Sequence, residues 1–458
     1  MAVRANVCAD DVRHRTLNLP TMASFFSPAS AVRKLCASMA LLSLAGMAWV
    51  YWPTGIIPVP EPRVDAISPA DLTTIERGRY LSVLGNCQGC HSLPGQAPYA
   101  GGTPIATPFG AVFGPNLTPS AQGLGGWSAS DFWRALHHGQ APDGRWLNPA
   151  FPYTHTTHVS REDSDALFAY LQSLPPDETP NRPSELRWPY NTQTALKVWR
   201  ALYFTPAPST QNATQPHDEI DRGRALVDGL AHCSACHTPR NRLGGLIDAK
   251  ALSGASMANG WYAPSLLDLQ EAGVQGWSLD DVTRLLREGK SGHHATIGPM
   301  AEVVVLSLAH WNETDLQAVA RYLMALPPQR ANQPQPIDKT MSNMALGQRV
   351  YEQQCATCHG DQGQGFQLSD GRVAYPPLAG NRAVTMNSPA NLLRIVQQGG
   401  FGLPTSQHPQ PFGMPPFQMV LDDNAMAALL TYIRQSWGNA GTAVQPLDVH
   451  QLNNGHGR

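Results

Sequence analysis

The sequence contains the motif Cys-x-x-Cys-His three times, and these copies account for six of its eight cysteines. Two thiols at this spacing can add to the vinyl groups of haem as thioethers, while the adjacent histidine reaches the iron from one side. The motifs therefore predict three covalent haem c groups. The predicted attachment residues are Cys87, Cys90, Cys233, Cys236, Cys355 and Cys358, and the predicted iron ligands are His91, His237 and His359.

Two other uses of paired cysteines fit these motifs less well. A structural zinc site needs four ligands, usually with a second pair of cysteines or histidines, and no predicted domain offers a second cysteine pair. A thioredoxin-type redox pair belongs to a βαβ pattern, which the helical flanks of these motifs do not show. The remaining cysteines, Cys8 and Cys36, lie in the N-terminal leader, so no cysteine of the body is left for a disulfide.

The body of the chain repeats one pattern three times. Each motif follows a short helical segment that contains a glycine, and two further helical segments come after it. We predict an all-α fold of three tandem domains at residues 66–177, 216–328 and 339–440. A linker at 178–215, with a short helix near 192–204, joins the first two domains. The tail at 441–458 is polar and is expected to be mobile.

Each predicted domain resembles a class I cytochrome c domain. In that family the first and last helices cross where a glycine lets the two backbones approach next to an aromatic residue. The resemblance implies that Gly78, Gly223 and Gly347 pair with Tyr170, Tyr322 and Tyr432 respectively.

An electron-transfer haem usually has a second axial ligand, commonly methionine, on a loop before the last helix. By that position we predict Met300 in the second domain, ahead of Met257 and Met324, and Met414 in the third, ahead of Met419 and Met426. The first domain has Phe151 in the matching loop, and no methionine occurs between Met47 and Met257. His155 is therefore the favoured ligand there, with His158, His137, His138 or an open position as alternatives. Ligation by two histidines would give this haem a lower potential than its neighbours.

The N-terminal segment predicts export. Residues 35–52 are an apolar run without charge, long enough to cross a bilayer as a helix, and Arg33 and Lys34 precede it. We expect the run to remain as a membrane anchor after a leader at 1–34, with the body on the periplasmic side; a cleaved signal peptide is the alternative. The formal charge of −2 argues against a nucleic-acid partner.

Several loops, together with the order of the motifs, point to one family. They read GGTPIATPFGAVFGPNLTP, HCSACHTPRNRLGG, GWYAPSL, GPMAEVV and PPLAGN. Over residues 66–440 the chain resembles the trihaem cytochrome c subunit of bacterial membrane-bound dehydrogenases for alcohols, gluconate, sorbitol or aldehydes. The resemblance implies a respiratory-chain subunit that collects electrons from a catalytic subunit and passes them to ubiquinone or a terminal oxidase. Phe151 stands where the alcohol and gluconate branches of this family have methionine. Its loop resembles more closely that of cytochromes paired with molybdenum hydroxylases.

Two other functions remain open from the sequence. A multihaem peroxidase would need an open iron position, which only the first domain offers. A free-standing respiratory cytochrome would reduce an oxidase without a large partner. We favour an electron-transfer subunit that is not itself an enzyme, and its catalytic partner is then a molybdenum hydroxylase or a flavin- or quinone-dependent dehydrogenase.

Overall fold

The computed structural model describes residues 28–51, 55–59, 72–208, 218–291, 294–329, 342–369, 373–401, 404 and 413–453. The predicted domain starts at 66, 216 and 339, and most of the leader, lie outside these residues. The chain divides into two compact units, Met1–Pro53 and Thr54–Arg458. The first contributes one helix, α1 (Pro28–Tyr51). Among the described residues, no helix has the length and apolar character that a membrane span requires.

The second unit contains three similar sets of helices, which we call the first, second and third repeats. The first repeat comprises α2 (Leu72–Leu84), α3 (Cys87–His91), α4 (Ala129–His138), α5 (Tyr153–Thr156) and α6 (Arg161–Gln172), and α7 (Gln193–Tyr203) follows it. The second comprises α8 (Glu219–Ala225), α9 (Ser234–His237), α10 (Leu279–Glu288), α11 (Pro299–Leu306) and α12 (Glu313–Ala325). The third comprises α13 (Ser342–Gln354), α14 (Ala356–His359), α15 (Arg382–Thr385), α16 (Ala390–Gln398) and α17 (Asp423–Gln435), and α18 (Pro446–Asn453) follows it.

Short antiparallel strands accompany these helices, so the all-α expectation describes only part of the secondary structure. One sheet has three strands in the order β1 (Pro104–Thr107), β2 (Gly110–Phe113), β3 (Glu185–Leu186). The two-stranded pairs are β4 (Ala255–Ser256) with β5 (Tyr262–Ala263), β6 (Lys290–Ser291) with β7 (His294–Ala295), β8 (Phe366–Gln367) with β9 (Val373–Tyr375), and β10 (Gly400–Phe401) with β11 (Gly413–Met414). Apart from β3, which comes after α6, these strands lie in the loops between a motif and the last helix of its repeat.

The first and last helices of each repeat cross at a glycine. A Cβ atom added to Gly78 would lie 1.9 Å from the carbonyl oxygen of Ala166 and 2.8 Å from the Cβ of Tyr170. Gly223 meets Ala318 and Tyr322 in the same way, and Gly347 meets Ala428 and Tyr432. The three predicted glycine–tyrosine pairs are therefore present, because only a residue without a side chain allows the backbones to approach this closely.

The second repeat has one more residue than the first between the crossing glycine and the motif. Nine positions separate Gly78 from Cys87, whereas ten separate Gly223 from Cys233. A π-helical turn at Leu226–Leu230 lies directly after α8 and takes up the extra residue. Gly229 within this turn has non-helical dihedral angles, so the segment kinks there before it reaches the motif.

The linker between the first two repeats is ordered by a buried arginine. Arg200 of α7 is 9% exposed, and its guanidinium carbon lies 4.0 Å from the ring centroid of Trp146. The rings of Phe204 and Tyr153 lie 4.7 and 5.1 Å from the same carbon. Cation–π contacts of this kind fasten the predicted linker helix to the first repeat.

The C-terminal tail differs from the sequence-based expectation. Residues 446–453 form α18, which packs on α17, and Val449 is fully buried. The hydroxyl of Thr431 in α17 donates a hydrogen bond to the carbonyl oxygen of Val444 at 3.1 Å. The expectation of a mobile tail is therefore wrong for these residues, because one buried apolar face is enough to dock a short polar helix.

The glycine crossings give the first testable prediction. We expect Gly78→Ala to lower the free energy of unfolding by about 1–3 kcal/mol, because the added methyl group overpacks the contact with Ala166. Gly126→Ala is the matched control, since no atom lies within 4 Å of its added Cβ. Thermal unfolding followed by circular dichroism measures both, and equal losses would contradict the assigned role of the crossing.

Candidate functional site

Each Cys-x-x-Cys-His motif forms or closes a very short helix directly after the first helix of its repeat. The motif helices are α3, α9 and α14, and the histidine is the last residue in each. The glycine crossing fixes the axis of the preceding helix, so it also fixes the start of the motif. Two cysteines three residues apart then share one side of a helical turn, and the histidine follows the second cysteine.

A backbone carbonyl of a proline orients each motif histidine. The Nδ1 atom of His91 lies 2.8 Å from the carbonyl oxygen of Pro115, and that of His237 lies 2.7 Å from Pro264. The Nδ1 atom of His359 lies 3.0 Å from the carbonyl oxygen of Pro376. A hydrogen bond from Nδ1 fixes the tautomer and leaves Nε2 as the donor atom for a metal, which is how ligating histidines are usually held.

Burial favours the neutral form of these three rings. It lowers the pKa of His91, His237 and His359, and the hydrogen bond to the proline carbonyl only partly opposes this effect. A neutral imidazole is the form that binds iron. The prolines were missed as functional positions in the sequence, although each occurs in a loop, FGPNL, YAPSL or YPPLAG, that follows its motif.

The predicted methionines lie at the edge of the cores of their repeats. Met300 is the second residue of α11, and it is partly buried against the hydrophobic cluster of the first two repeats. Met414 is in β11, opposite Gly400, and packs on the cluster of the third repeat. By contrast, Met426 is 1% exposed within α17 and Met419 is 95% exposed, so neither competitor occupies a comparable position.

His155 faces the second repeat. It is 5% exposed, and its Nδ1 atom lies 3.1 Å from the carbonyl oxygen of Asp228 and 3.5 Å from the hydroxyl of Ser234. Its Nε2 atom is buried without a hydrogen-bond partner. Burial, followed by the nearby His232, lowers the pKa of His155 to about 4. The structure therefore places this ring between two repeats.

The other histidines of the first repeat occupy different positions. His137 stacks on Trp133 with ring centroids 4.2 Å apart, and its Nε2 atom lies 3.0 Å from the carbonyl oxygen of Ala207. His138 is next to it at the end of α4, and His158 is exposed. None of these positions corresponds to those of Met300 and Met414.

Hydrogen bonds join segments that lie next to the first two motifs. Burial raises the pKa of the Cys90 thiol to about 11, and the nearby Cys236 thiol adds to the shift. Around them, Ser307 donates to the carbonyl oxygen of Val83 at 2.6 Å, and the Nε2 atom of His232 lies 3.2 Å from the carbonyl oxygen of Gly85. Groups bound to these two motifs would consequently be close neighbours.

The third repeat joins the second through polar contacts. The backbone N–H of Tyr262 donates to Oδ1 of Asn391 at 2.8 Å, and Nδ2 of Asn391 donates to the carbonyl oxygen of Tyr262 at 2.7 Å. Arg382 donates to the carbonyl oxygen of Gly273 at 2.8 Å. A pair of hydrogen bonds between the same two residues fixes the relative position of their segments. The loop after the second motif is therefore held against the third repeat.

Asp315 links the first two repeats by charge. Its carboxylate accepts hydrogen bonds from Arg222 at 2.7 Å and from the hydroxyl of Tyr80, on α2 of the first repeat, at 2.8 Å. Burial alone would raise the pKa of Asp315, but these hydrogen bonds outweigh it and hold the pKa below the ordinary value of 3.8. The ionised form therefore stabilises the folded state.

Two models of known families match separate parts of the chain. The model described as "Cytochrome c" matches residues 75–175, and the model described as "Cytochrome C oxidase, cbb3-type, subunit III" matches residues 342–433. The matches coincide with the first and third repeats, including their Cys-x-x-Cys-His motifs.

Curated proteins match most of the chain. The alcohol dehydrogenase (quinone) cytochrome c subunit of Gluconobacter oxydans is 34% identical over 400 residues, covering 84% of this chain and 83% of that protein. The gluconate 2-dehydrogenase cytochrome c subunit of Pantoea cypripedii is 36% identical, covering 82% and 89%. A nicotinate dehydrogenase subunit of Pseudomonas putida is 36% identical over 86% of this chain, which corresponds to 33% of that protein.

Asp315 gives a pH-dependent prediction. A carboxylate with a depressed pKa stabilises the fold above its unfolded pKa, and this contribution is lost as the pH falls through the folded pKa. We expect Asp315→Asn to lower the free energy of unfolding by about 1–3 kcal/mol at pH 7. The difference in unfolding free energy from the unchanged protein should shrink as the pH falls below 3.8, the ordinary pKa of an aspartate. Denaturant unfolding at several pH values measures the gap.

The control for that experiment is an exposed ion pair. Asp143 pairs with Arg145, and both side chains are more than half exposed. Such pairs contribute about 0–1 kcal/mol, so Asp143→Asn should have little effect at any pH. A gap for Asp315→Asn that stays constant through the acid range would show that the carboxylate charge is not what stabilises the contact.

Proposed function

Because the chain belongs to the family of cytochrome c subunits of membrane-bound dehydrogenases, we propose that it transfers electrons through three covalently bound haem c groups. The observation that carries the number three is the recurrence of one histidine geometry. In all three repeats a proline carbonyl holds Nδ1 of the motif histidine and leaves Nε2 for the iron. The cysteines at the same spacing complete each donor set.

The residues that would hold each group follow from this geometry. Cys87, Cys90 and His91 serve the first haem, and His91 is its iron ligand on one side. Corresponding roles fall to Cys233, Cys236 and His237 with Met300, and to Cys355, Cys358 and His359 with Met414. When bound, each haem supplies a reversible one-electron change at its iron. The chain covers the groups, sets their axial ligands and fixes the distances between them.

We also propose the direction of electron flow. Electrons would come from a separate dehydrogenase catalytic subunit and leave to ubiquinone or a terminal oxidase. The relatives are cytochrome subunits of alcohol, gluconate and fructose dehydrogenases, which supports a catalytic partner and does not favour the peroxidase alternative. The match to a nicotinate dehydrogenase keeps a molybdenum hydroxylase among the partner types, beside flavin- and quinone-dependent enzymes.

The location is part of the same proposal. The apolar run at 35–52, preceded by Arg33 and Lys34, would export the body to the periplasmic side of the inner membrane. It would remain there as an anchor or be cleaved as a signal peptide. Attachment of c-type haem outside the cytoplasm agrees with this placement.

The haem number is tested by mass. The mature full-length protein should carry the mass of three haems, and the double variant Cys233→Ser, Cys236→Ser should carry two. Cys36→Ser is the control, because this cysteine lies outside the three motifs, and it should retain three. An unchanged protein with fewer than three haems, or a double variant that keeps all of them, would contradict the proposal.

The partner is tested by purification from native membranes in mild detergent. We expect a tagged full-length chain to bring down a large catalytic subunit that mass spectrometry identifies as a molybdopterin, flavin or quinone enzyme. The sample should also show dehydrogenase activity that reduces the haems. Recovery of the cytochrome alone, under conditions that keep other membrane complexes intact, would favour the free-standing carrier.

A further inference from the structure

Several polar side-chain atoms between α4 and α7 are buried without a hydrogen-bond partner. They are Nη1 of Arg200, the hydroxyl of Tyr153, Nε1 of Trp146 and the Nδ1 atoms of His137 and His138. Buried polar atoms in folded proteins nearly always have partners, so this cluster indicates a group that these atoms bind. The guanidinium, the phenol and the indole can all donate hydrogen bonds, and the group they share is therefore an acceptor.

The guanidinium of Arg200 indicates that the acceptor carries a negative charge. Its carbon atom lies among the rings of Trp146, Phe204 and Tyr153, and burial lowers the pKa of Arg200. Only Tyr153 opposes this shift, and burial raises the pKa of Tyr153 to about 12, so the phenol is neutral. A buried cation without a counter-charge costs free energy. The planar donors of arginine match a carboxylate in particular.

The backbone holds these donors in fixed positions. Tyr153 is fully buried, and its ring lies so close to Gly139 that an added Cβ there would be 2.6 Å from Cδ1 of the ring. The N–H of Trp146 donates to Oε1 of Gln193 at 2.7 Å, and Nε2 of Gln193 donates to the carbonyl oxygen of Trp146 at 3.1 Å. Gln193 is the first residue of α7, and Arg200, seven residues later, lies on the same face of that helix.

The donors lie on both sides of the position where the axial ligand of the first haem is sought. Trp146 is five residues before Phe151, and Tyr153 is two residues after it. The ring centroids of Phe151 and Tyr153 are 6.4 Å apart. A haem carries two propionate carboxylates at one edge, so a haem bound in this repeat brings a buried anion of the required kind to the same loop.

We infer that Arg200, Tyr153 and Trp146 bind a propionate carboxylate of the first haem. This inference rests on the proposed haem attachment at the first motif. It makes α7, which lies outside the three predicted domains, a part of the first haem site. A cation next to a haem favours the reduced iron, which has one positive charge less, so Arg200 also raises the potential of this haem.

Tyr153→Phe gives the sharpest test, because it keeps the ring and removes only the hydroxyl. If that hydroxyl bound nothing, its removal would leave the thermal unfolding midpoint of the full-length holoprotein unchanged or raise it, since an unpartnered buried polar group is destabilising. We expect the midpoint to fall, and the propionate bending bands in the resonance Raman spectrum to shift for one haem. Unchanged bands, or a midpoint that does not fall, would overturn the inference.

Substitutions of Arg200 test the charge. In a redox titration of the full-length protein we expect Arg200→Gln to lower one of the three haem potentials, and Arg200→Lys, which retains the charge, to lower it less. Arg145→Gln is the matched control, because Arg145 is next to Trp146 in the same loop, is 56% exposed and pairs with Asp143. Unchanged potentials in Arg200→Gln, or an equal fall in Arg145→Gln, would show that Arg200 does not compensate a propionate.

A free carboxylate has the same chemistry as a propionate, and acetate is the probe that distinguishes the two sources. We expect acetate to leave the unfolding midpoint of the unchanged protein constant, because the propionate already occupies the donors. A rise with acetate that Tyr153→Phe abolishes would overturn the assignment to the haem. The haem count by mass is measured on the same samples. Fewer than three haems in the unchanged protein would contradict the proposed function, whereas three haems with unshifted propionate bands in Tyr153→Phe would contradict this inference alone.

Discussion

The close crossing of the first and last helices in each repeat is the constraint on which the other features depend. A backbone contact at Gly78, Gly223 and Gly347 leaves no room for a side chain. Because the Cys-x-x-Cys-His motif begins where the first helix ends, the crossing determines where the motif histidine starts. A proline carbonyl then determines how its ring is turned. The glycine crossing and the proline carbonyl together therefore position the cysteines and the histidine of each motif.

The interface between the first two repeats uses the same residue positions on both sides. The loops before α12 and α6 bond to the first helical segment of the opposite repeat through Ser307 and His155, and the buried carboxylate of Asp315 reaches Tyr80. This arrangement bonds the segments that carry two of the predicted haem sites to each other. The third repeat is attached separately through Asn391 and Arg382, beside the loop that orients His237. Such a layout suits a relay, since transfer between fixed groups needs no motion of domains.

Repetition also shows which positions are free to change. The crossing glycine and the bond from the motif histidine to a proline carbonyl recur in all three repeats, whereas the position predicted for the axial methionine has Phe151 in the first repeat. A substitution at that position would alter one proposed haem site and leave the helix crossing and the histidine bond unchanged. The presence of Phe151 where the second repeat has Met300 is therefore a local difference, and the fold of the first repeat is retained.

The sequence by itself determined the haem attachment chemistry, the family and the placement of the helices, because these depend on local spacing and periodicity. The helix predicted near 192–204 is Gln193–Tyr203, and the three glycine–tyrosine pairs occur as the resemblance implied. Only the tertiary structure decided the environment of His155, since its partners Asp228 and Ser234 are more than seventy residues away. The docked α18, the short strands and the proline carbonyls belong to the same class. Each depends on a contact between two different segments, which the pattern of one segment does not encode.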